Sequence, residues 1–495
     1  GNMWRRIPGF TGNDSDSDSE EAAFVSTAEE RLKDVAAAMG SSWVHRPTVR
    51  FSAAPMPTKD HPSATLPSAT RRWGPNPPPA FRIEHAAAPI VRDTLVSNGM
   101  FPTRDRDFIV QWSGPGMKDG AYEALNDFQH VNHFPTSTEL TRKDRLWSHF
   151  NKMAGIFGSD AFDFVPKTFV LPDEVDEFLK YYEQTDYLWI VKPHASSRGR
   201  GIFVLRDLGD LPLEEVSVVS RYVHNPLLIQ GLKFDLRIYV LVTCYEPLRA
   251  YVYREGLTRF ASKPYSTKEE HMTDAFRHLT NYSINKSASN FVENREVDKD
   301  NVGHKWSLSA LNNHLECVGI DVGLMWSRIM DLVVKSLISV KPVIAAKTQE
   351  LMPDRENCFE IYGFDVLVDD RLKPWLLEVN LSPSMQADSP LDWQIKSSLL
   401  SDSFNLVGVA NVDRQTASLS RMRLQRQHLC QMQQRTAALR MSLARNSTDG
   451  ASLASGTGAA LRPTGRPSSS RARVRVLGPE GAAEDFAVTK PIDDR

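Results

Sequence analysis

Cysteine is scarce: four in 495 residues. Cys244, Cys317, Cys358 and Cys430 lie far apart with no metal-ligand spacing, which reads most simply as reduced thiols in a cytosolic protein. Long apolar runs are missing too. The most apolar helical stretch, Leu332 to Ala346, is interrupted by Lys335 and Lys341 and is too short to span a bilayer, so no membrane insertion is expected. The N-terminus meets Asp and Ser early and shows no secretory signal. The phosphate-loop pattern G-x-x-x-x-G-K-[ST] is absent, as are the catalytic-loop and metal-binding signatures of protein kinases. A net charge of −2 says little about partners by itself; the distribution of charge says more. With 41% hydrophobic residues, material for a sizeable core is present.

That core belongs to the middle of the chain. Residues 1–95 read as mostly disordered: an acidic Ser/Asp run gives way to Pro- and Ala-rich sequence that cannot bury enough apolar surface to offset its ordering entropy. Order is expected from about Leu95, and residues 96–407 read as one α+β region. Within it Phe108 to Trp112, Phe164 to Pro172, Leu188 to Pro193, Val216 to Tyr222 and Phe234 to Val242 have strand character. Asp173 to Tyr182 reads as a helix with Asp173 as its N-cap, and Tyr251 to Phe260 as a hairpin. Residues 411–446 change character. Arginines recur there with little opposing charge, and Ser418 to Ala444 reads as a basic helix suited to an acidic surface. Residues 447–495 read as a disordered Ser/Gly/Arg-rich tail.

The chemistry concentrates at Phe359 to Ser384, FEIYGFDVLVDDRLKPWLLEVNLSPS. Two apolar strands flank the turn Asp369-Asp370, and each carries acid into an apolar setting. Asp365 lies in the first; Glu378 and Asn380, two apart, share one face of the second. Two carboxylates and an amide oxygen form a hard-oxygen set suited to Mg²⁺, which takes its remaining ligands from waters and phosphates. Upstream, LWIVKP ends a strand in Lys192, and the loop HASSRGRG supplies Arg198, Gly199 and Gly201. Glycines let backbone N–H groups approach oxygens, and the cations neutralise them. In KFDLRIYVLV, Lys233, Asp235 and Arg237 alternate on an otherwise apolar strand, either as a structural ion-pair ladder or as groups aimed at phosphate and ribose.

RKDRLW, WIVKP, SSRGRGI, KFDLRIYVLV, HLTNYSINK, GFDVLVDD and KPWLLEVNLSPS occur in that order, and over residues 98–407 the chain resembles the tubulin tyrosine ligase-like family, specifically its glutamylating branch. The resemblance implies an ATP-grasp fold with N-terminal, central and C-terminal subdomains. It implies ATP bound by Lys143, Lys192, Arg198, Gly199, Ser220, Arg221, Tyr222, Val223, Lys233, Phe234, Asp235, Thr280 and Asn281. Mg²⁺ would be held by Asp365, Glu378 and Asn380. Arg237 would steady the acyl-phosphate or tetrahedral intermediate, with Arg198 near the acceptor. Arg259, Tyr282, Ser283, Lys305 and Lys396 would hold free L-glutamate. The implied partners are tubulin or microtubules and other acidic proteins, without nucleic acid. The implied location is the cytoplasm and cytoskeleton, with cilium, flagellum or basal body as further candidates. Ligation of glycine or tyrosine, or non-catalytic microtubule binding, are the alternatives. Leu381 stands where many chain-extending relatives have His.

Overall fold

A computed structural model describes residues 3–6, 48–57, 78–194, 199–294, 299–353, 356–411, 426 and 430. The chain divides into two units, 1–427 and 428–495. Of the second, Cys430 alone is described; all of the described sheets belong to the first.

Among the described residues the strands form three sheets. β1 (Trp4–Arg6) pairs into the central one, the largest of the three. A smaller sheet is parallel, ordered β3-β2-β4-β5 from β2 (Ala80–Glu84), β3 (Phe101–Pro102), β4 (Val110–Ser113) and β5 (His130–Val131). Parallel neighbours need a crossover, and α1 (Pro89–Ser97) lies in the one between β2 and β3. The other smaller sheet is antiparallel, ordered β6-β9-β7-β8 from β6 (Thr168–Leu171), β7 (Trp189–Pro193), β8 (Phe203–Leu205) and β9 (Ser217–Arg221). Between β4 and β5 the chain forms α2 (Asp119–Glu123), between β5 and β6 it forms α3 (Thr138–Thr141) and α4 (Lys143–Phe157), and between β6 and β7 it forms α5 (Val175–Glu183).

The central antiparallel sheet is built on β11 (Leu232–Tyr245), β12 (Leu248–Phe260), β14 (Glu360–Val368) and β15 (Pro374–Leu381), with β10 (Leu228–Ile229) on β11 and β13 (Lys305–Ser307) on β12. The chain between these strands folds into α6 (Ala275–His278), α7 (Tyr282–Asn285), α8 (Leu308–Cys317) and α9 (Val322–Leu351), and α10 (Pro390–Val407) comes after β15.

Strand β11 shows how this sheet positions a site. Side chains alternate across a strand, and Phe234, Leu236, Ile238, Val240 and Val242 all enter one apolar core with Leu332, Val333, Leu337 and Val340 of α9. The opposite face is split. Tyr239 and Leu241 join a second core with Leu399, Leu400 and Phe404 of α10 and with Phe51, while Lys233, Asp235 and Arg237 occupy the rest. The β-branched and aromatic content favours the strand, and the apolar face fixes its register: a one-residue slip would drive three charges into the α9 core.

Several sequence expectations meet corrections here. Order begins before Leu95: β2 and most of α1 precede it, and Val49 and Phe51 are buried. Phe51 N–H donates to Asn405 Oδ1 at 2.9 Å, so this segment gains long-range partners that local composition does not reveal. Tyr251 to Phe260 is one continuous strand; the hairpin is β11–β12, paired from Phe234↔Phe260 to Tyr245↔Leu248. Only Thr168–Leu171 of the 164–172 stretch is strand. Asp173 does not cap α5; Glu174 occupies the N-cap, and its carboxylate accepts from Val170 N–H at 2.6 Å instead. Residues 411–446 and 447–495 lie outside the described residues, apart from Asn411, Arg426 and Cys430; the backbone at Arg426 and Cys430 is helical.

Candidate active site

Strand register assembles the site. Lys305 of β13 lies opposite Arg259 of β12, and Arg259 opposite Asp235 of β11. Two residues along β11, on the same face, Arg237 lies opposite Asp365 of β14, and Asp365 opposite Glu378 of β15. The result is a charged stripe across the sheet. Arg237 clamps Asp365 with Nε–Oδ1 and Nη2–Oδ2 contacts of 2.6 and 3.1 Å. Arg259 clamps Asp235 at 2.7 and 2.6 Å and also reaches Asp365 Oδ2 at 2.9 Å. Thr280 Oγ1 donates to Asp235 at 2.6 Å. Burial alone would raise the Asp365 carboxyl, but the guanidiniums of Arg237 and Arg259 outweigh it and hold it well below the usual carboxylate range. The Arg237 side chain needs the open backbone of β14. A Cβ on Gly363 would sit 3.1 Å from Arg237 Cδ and 3.0 Å from Pro383 Cβ.

A bulge interrupts the β14–β15 pairing after Asp365, where Leu377 is passed over between Leu376 and Glu378. Bulges re-aim side chains, and Leu377 and Glu378 both line the adjoining cleft. Lys143 Nζ lies 2.8 Å from Glu378 Oε2. Asn380 Nδ2 is 3.3 Å from both Asp365 Oδ2 and Glu378 Oε1. Turning the amide over would place Oδ1 there, giving three hard oxygens on one face, so these residues fit a divalent cation such as Mg²⁺. Among the described residues no set of three His, Cys, Asp or Glu gathers for a metal. A cation at this place therefore has to complete its shell from waters and phosphate oxygens, which is the habit of Mg²⁺.

The cleft is open to solvent; its empty space, the open part included, is about 670 Å³. Lys192, Arg221, Tyr222, Val223, Lys233, Asp235, Thr280, Asn281, Asp365 and Glu378 line it, which brings together most of the expected nucleotide residues. Its walls add Pro166, Ile190, Ile202, Leu367 and Leu377, suited to a flat apolar base. Ile190 was legible, since it shares a strand face with Lys192. Lys233 donates to Tyr222 Oη at 3.0 Å, and that hydroxyl contacts His278 Nδ1 at 2.8 Å. Burial lowers Lys233 to about 7 despite Asp235 nearby. Burial likewise lowers Lys192 to about 8, with Lys143 adding to the effect. Gly199 has φ +74°, and a Cβ there would lie 2.6 Å from Ile284 Cδ1 and 3.0 Å from Asn281 Oδ1. The loop can thus rest on α7 and its preceding turn only as glycine.

One expected nucleotide residue points elsewhere, and Ser220 and Lys143 line a neighbouring cavity that shares Lys192 and Glu378 with the cleft. Phe234 points into the α9 core, its ring tilted against Phe260 with centroids 5.6 Å apart. Trp147 also lines the neighbouring cavity, and the Ser220 hydroxyl accepts from Thr168 at 2.9 Å. Arg198 lies outside the described residues.

The expected amino-acid residues gather at the other end of the stripe. Lys305 Nζ stands 4.0 Å over the Tyr282 ring, and Ser283 is the next residue of α7. Lys305 and Lys396 converge on Asp392, at 2.6 and 3.2 Å. Asp392 was not among the expected site residues, although the segment SPLD at Ser389 to Asp392 belongs to the resemblance to the glutamylating branch; as a local pattern S-x-x-D reads as helix capping.

A sequence profile described as the tubulin-tyrosine ligase family matches residues 122–418. The chain is 44% identical over 331 residues to "Tubulin polyglutamylase TTLL5" of Mus musculus, covering 66% of this chain and 25% of that one. It is 42% identical over 321 residues to "Tubulin monoglutamylase TTLL4" of Homo sapiens, covering 64% and 27%. It is 41% identical over 350 residues to "Tubulin polyglutamylase ttll-5" of Caenorhabditis elegans, covering 68% and 48%. The matched stretch thus spans about a quarter to a half of the length of these relatives. The family profile covers both ends of the charged stripe and the cleft between them, and the chain belongs to the tubulin-tyrosine ligase family.

Proposed function

We propose that this protein is an ATP- and Mg²⁺-dependent ligase of ATP-grasp type that joins free L-glutamate to glutamate γ-carboxylates in tubulin tails. The observation that carries the reading is the charged stripe itself. One end offers the lysines Lys192 and Lys233 and an acid pair in a cleft with apolar walls; the other offers cations for an amino acid; Arg237 lies between them. The names of the relatives supply glutamate and tubulin.

In this reading the acceptor carboxylate attacks the γ-phosphorus, ADP leaves, and an acyl phosphate forms. The neutral amine of glutamate then attacks the acyl carbon, and phosphate leaves as the amide forms. Asp365, Glu378 and Asn380 hold Mg²⁺, which neutralises phosphate charge. Lys192 and Lys233 pair with phosphate oxygens. Arg237, fixed between Asp365 and the amino-acid end, donates to the oxygens that gain charge. Lys305 and Lys396 face the carboxylates of the incoming glutamate, with Arg259 and Tyr282 beside them. Arg198, in the glycine loop, selects unbranched acceptors, since a guanidinium holds a carboxylate by two charge-assisted bonds where an amide holds it by neutral ones. Arg198→Gln should then shift preference from unbranched to singly branched tail peptides, read as relative rates. Residues 411–446 dock on the acidic microtubule, and the site of action is the cytoskeleton, including cilia.

The direct test incubates the protein with ATP, Mg²⁺, tubulin and, separately, glutamate, glycine or tyrosine, followed by mass spectrometry of the tails. Glutamate adducts alone are expected. Glycine or tyrosine adducts would reassign the amino acid, and no adduct with any of them would overturn ligation of tubulin.

A further inference from the structure

The amino-acid end of the stripe contains a buried carboxylate with no part in the chemistry above. Asp392 is 1% exposed, in the first turn of α10. Its Oδ2 accepts from Lys305 Nζ at 2.6 Å and from Ser389 Oγ at 3.1 Å. Its Oδ1 faces Lys396 Nζ at 3.2 Å, an ion pair without hydrogen-bond geometry. Lys396 gives its hydrogen bond to the Gln386 carbonyl. Both lysines are themselves buried, so Asp392 holds two ammonium groups, one from β13 and one from α10, at a fixed separation.

The bland account is helix capping. Ser389 is the N-cap of α10 and accepts from the Asp392 amide at 3.2 Å, and an acid in a first turn suits the helix dipole. A capping-box acid reaches back to the N-cap backbone N–H. The Asp392 carboxylate instead goes to the Ser389 hydroxyl and two lysines, and the capping is done by Ser389. Capping therefore leaves the carboxylate's own contacts unexplained.

We propose that Asp392 is the positioning residue of the amino-acid site: it sets the spacing of Lys305 and Lys396 and keeps the buried Lys396 charged, and so sets the preference for an amino acid bearing a second carboxylate. This rests on the ligase reading above. The charged groups that act on Lys396 are Asp392, Arg237 of β11 and Asp388 before α10; Asp392 in turn neighbours Lys305 of β13, Tyr239 of β11 and Tyr282 of α7, and Tyr239 neighbours Arg259 of β12 while Tyr282 neighbours Glu293. Burial is the largest influence on Lys396 and lowers it, Asp392 opposes that, and Arg237 adds to the lowering. Without the Asp392 charge, Lys396 loses its proton at lower pH than in the parent.

The test measures ligation kinetics of the full chain and of Asp392→Asn from pH 6.5 to 9, with glutamate and glycine as amino donors and a tail peptide as acceptor. In Asp392→Asn the KM for glutamate should rise on the order of tenfold to a hundredfold, the scale of a hydrogen bond between charged groups. It should climb further as pH rises, while the parent's KM stays flatter, the KM for ATP is nearly unchanged and the glutamate-over-glycine preference shrinks. Lys396→Met, which removes the titrating group, should raise the KM for glutamate without the added pH dependence. It also serves if Asp392→Asn does not fold. A glutamate KM and pH profile equal to the parent's in Asp392→Asn, with only a lower melting temperature, would overturn the proposal in favour of capping. So would a Lys396→Met variant with the parent's glutamate KM. A parent that ligates no glutamate at all would instead bring down the ligase reading.

Discussion

The lysines at the two ends of the charged stripe keep different company. Lys192 and Lys233 line the cleft with no carboxylate at ion-pair distance among the described residues; Lys233 has the Tyr222 hydroxyl and ring. Lys305 and Lys396 share Asp392. A buried cation without a counter-charge is held at a loss that an anionic ligand relieves. A cation with a permanent carboxylate stays charged whether or not ligand is present. The first arrangement suits a polyanion that arrives and departs with each turnover, and the second a small ligand that must be placed accurately.

The largest expected effect breaks the cleft end. Glu378→Gln should lower ligation by on the order of 10³-fold or more, since it removes one charge of the acid pair and the partner of Lys143. Its fold should persist, because Glu378 is half-buried and outside the apolar cores. Parent-rate ligation at limiting Mg²⁺ would break the assignment of the acid pair.

Thermal melts sharpen the comparison next. Lys233→Met should leave the melting temperature unchanged or raise it, because it removes a buried charge without a carboxylate partner, while nucleotide binding weakens. Lys396→Met should destabilise by about 1–3 kcal/mol, since Asp392 keeps Lys305 and loses its second cation. Equal shifts in the two variants would show that the two ends are held alike.

The pH dependence of nucleotide binding takes its sign from the lowered lysines. In the free protein Lys233 loses its proton near 7 and Lys192 near 8. A polyphosphate favours the protonated forms, so binding takes up protons, and affinity falls as pH rises through these values. The fall should approach about tenfold per pH unit for each neutral lysine. Below pH 6 both are charged and affinity is flat. Calorimetry in buffers of different ionisation enthalpy reads the uptake directly; proton release on binding would reverse the argument.

The smallest effect on chemistry lies outside the stripe. Deleting residues 411–446 should weaken co-sedimentation with microtubules in a salt-sensitive way and leave ligation to a short soluble acidic peptide near the parent rate. Unchanged binding at every salt concentration would remove this segment from docking.

Much of the site is readable along the chain alone. Asp365, Glu378 and Asn380 stand out because acids on apolar strands need a reason, and the alternation at Lys233, Asp235 and Arg237 places three charges on one face. The same rule, applied strictly, sets Phe234 on the opposite face, where it is found in the core. The setting of Ser220 was not legible: its hydroxyl accepts from Thr168, 52 positions away, a pairing of β6 with β9 that no local pattern announces. The expected hairpin at Tyr251 to Phe260 failed because Arg254, Glu255 and Gly256 look like a turn in isolation. In the sheet Gly256 faces Ile238 at the edge of a register shift that passes over Tyr253, Arg254 and Glu255 without ending the strand, and a Cβ on Gly256 would stand 2.4 Å from the Arg237 carbonyl oxygen. Phe51 and Val49 went unread because their partners on α10 and beyond lie some 350 residues downstream.

The sequence by itself determined the α+β character, the strands that carry charge and the residue types able to meet phosphate and a hard cation. Those follow from periodicity and from the cost of burying charge, which are local properties. Tertiary structure alone decided who pairs with whom. Arg237 and Asp365 are 128 positions apart, and Lys305 and Asp392 are 87 apart; only the register of the central sheet and the docking of α10 bring them together. Whether a lysine waits for a ligand's charge or carries a permanent partner is a matter of that three-dimensional neighbourhood, because electrostatic energy depends on distance and burial rather than on order along the chain.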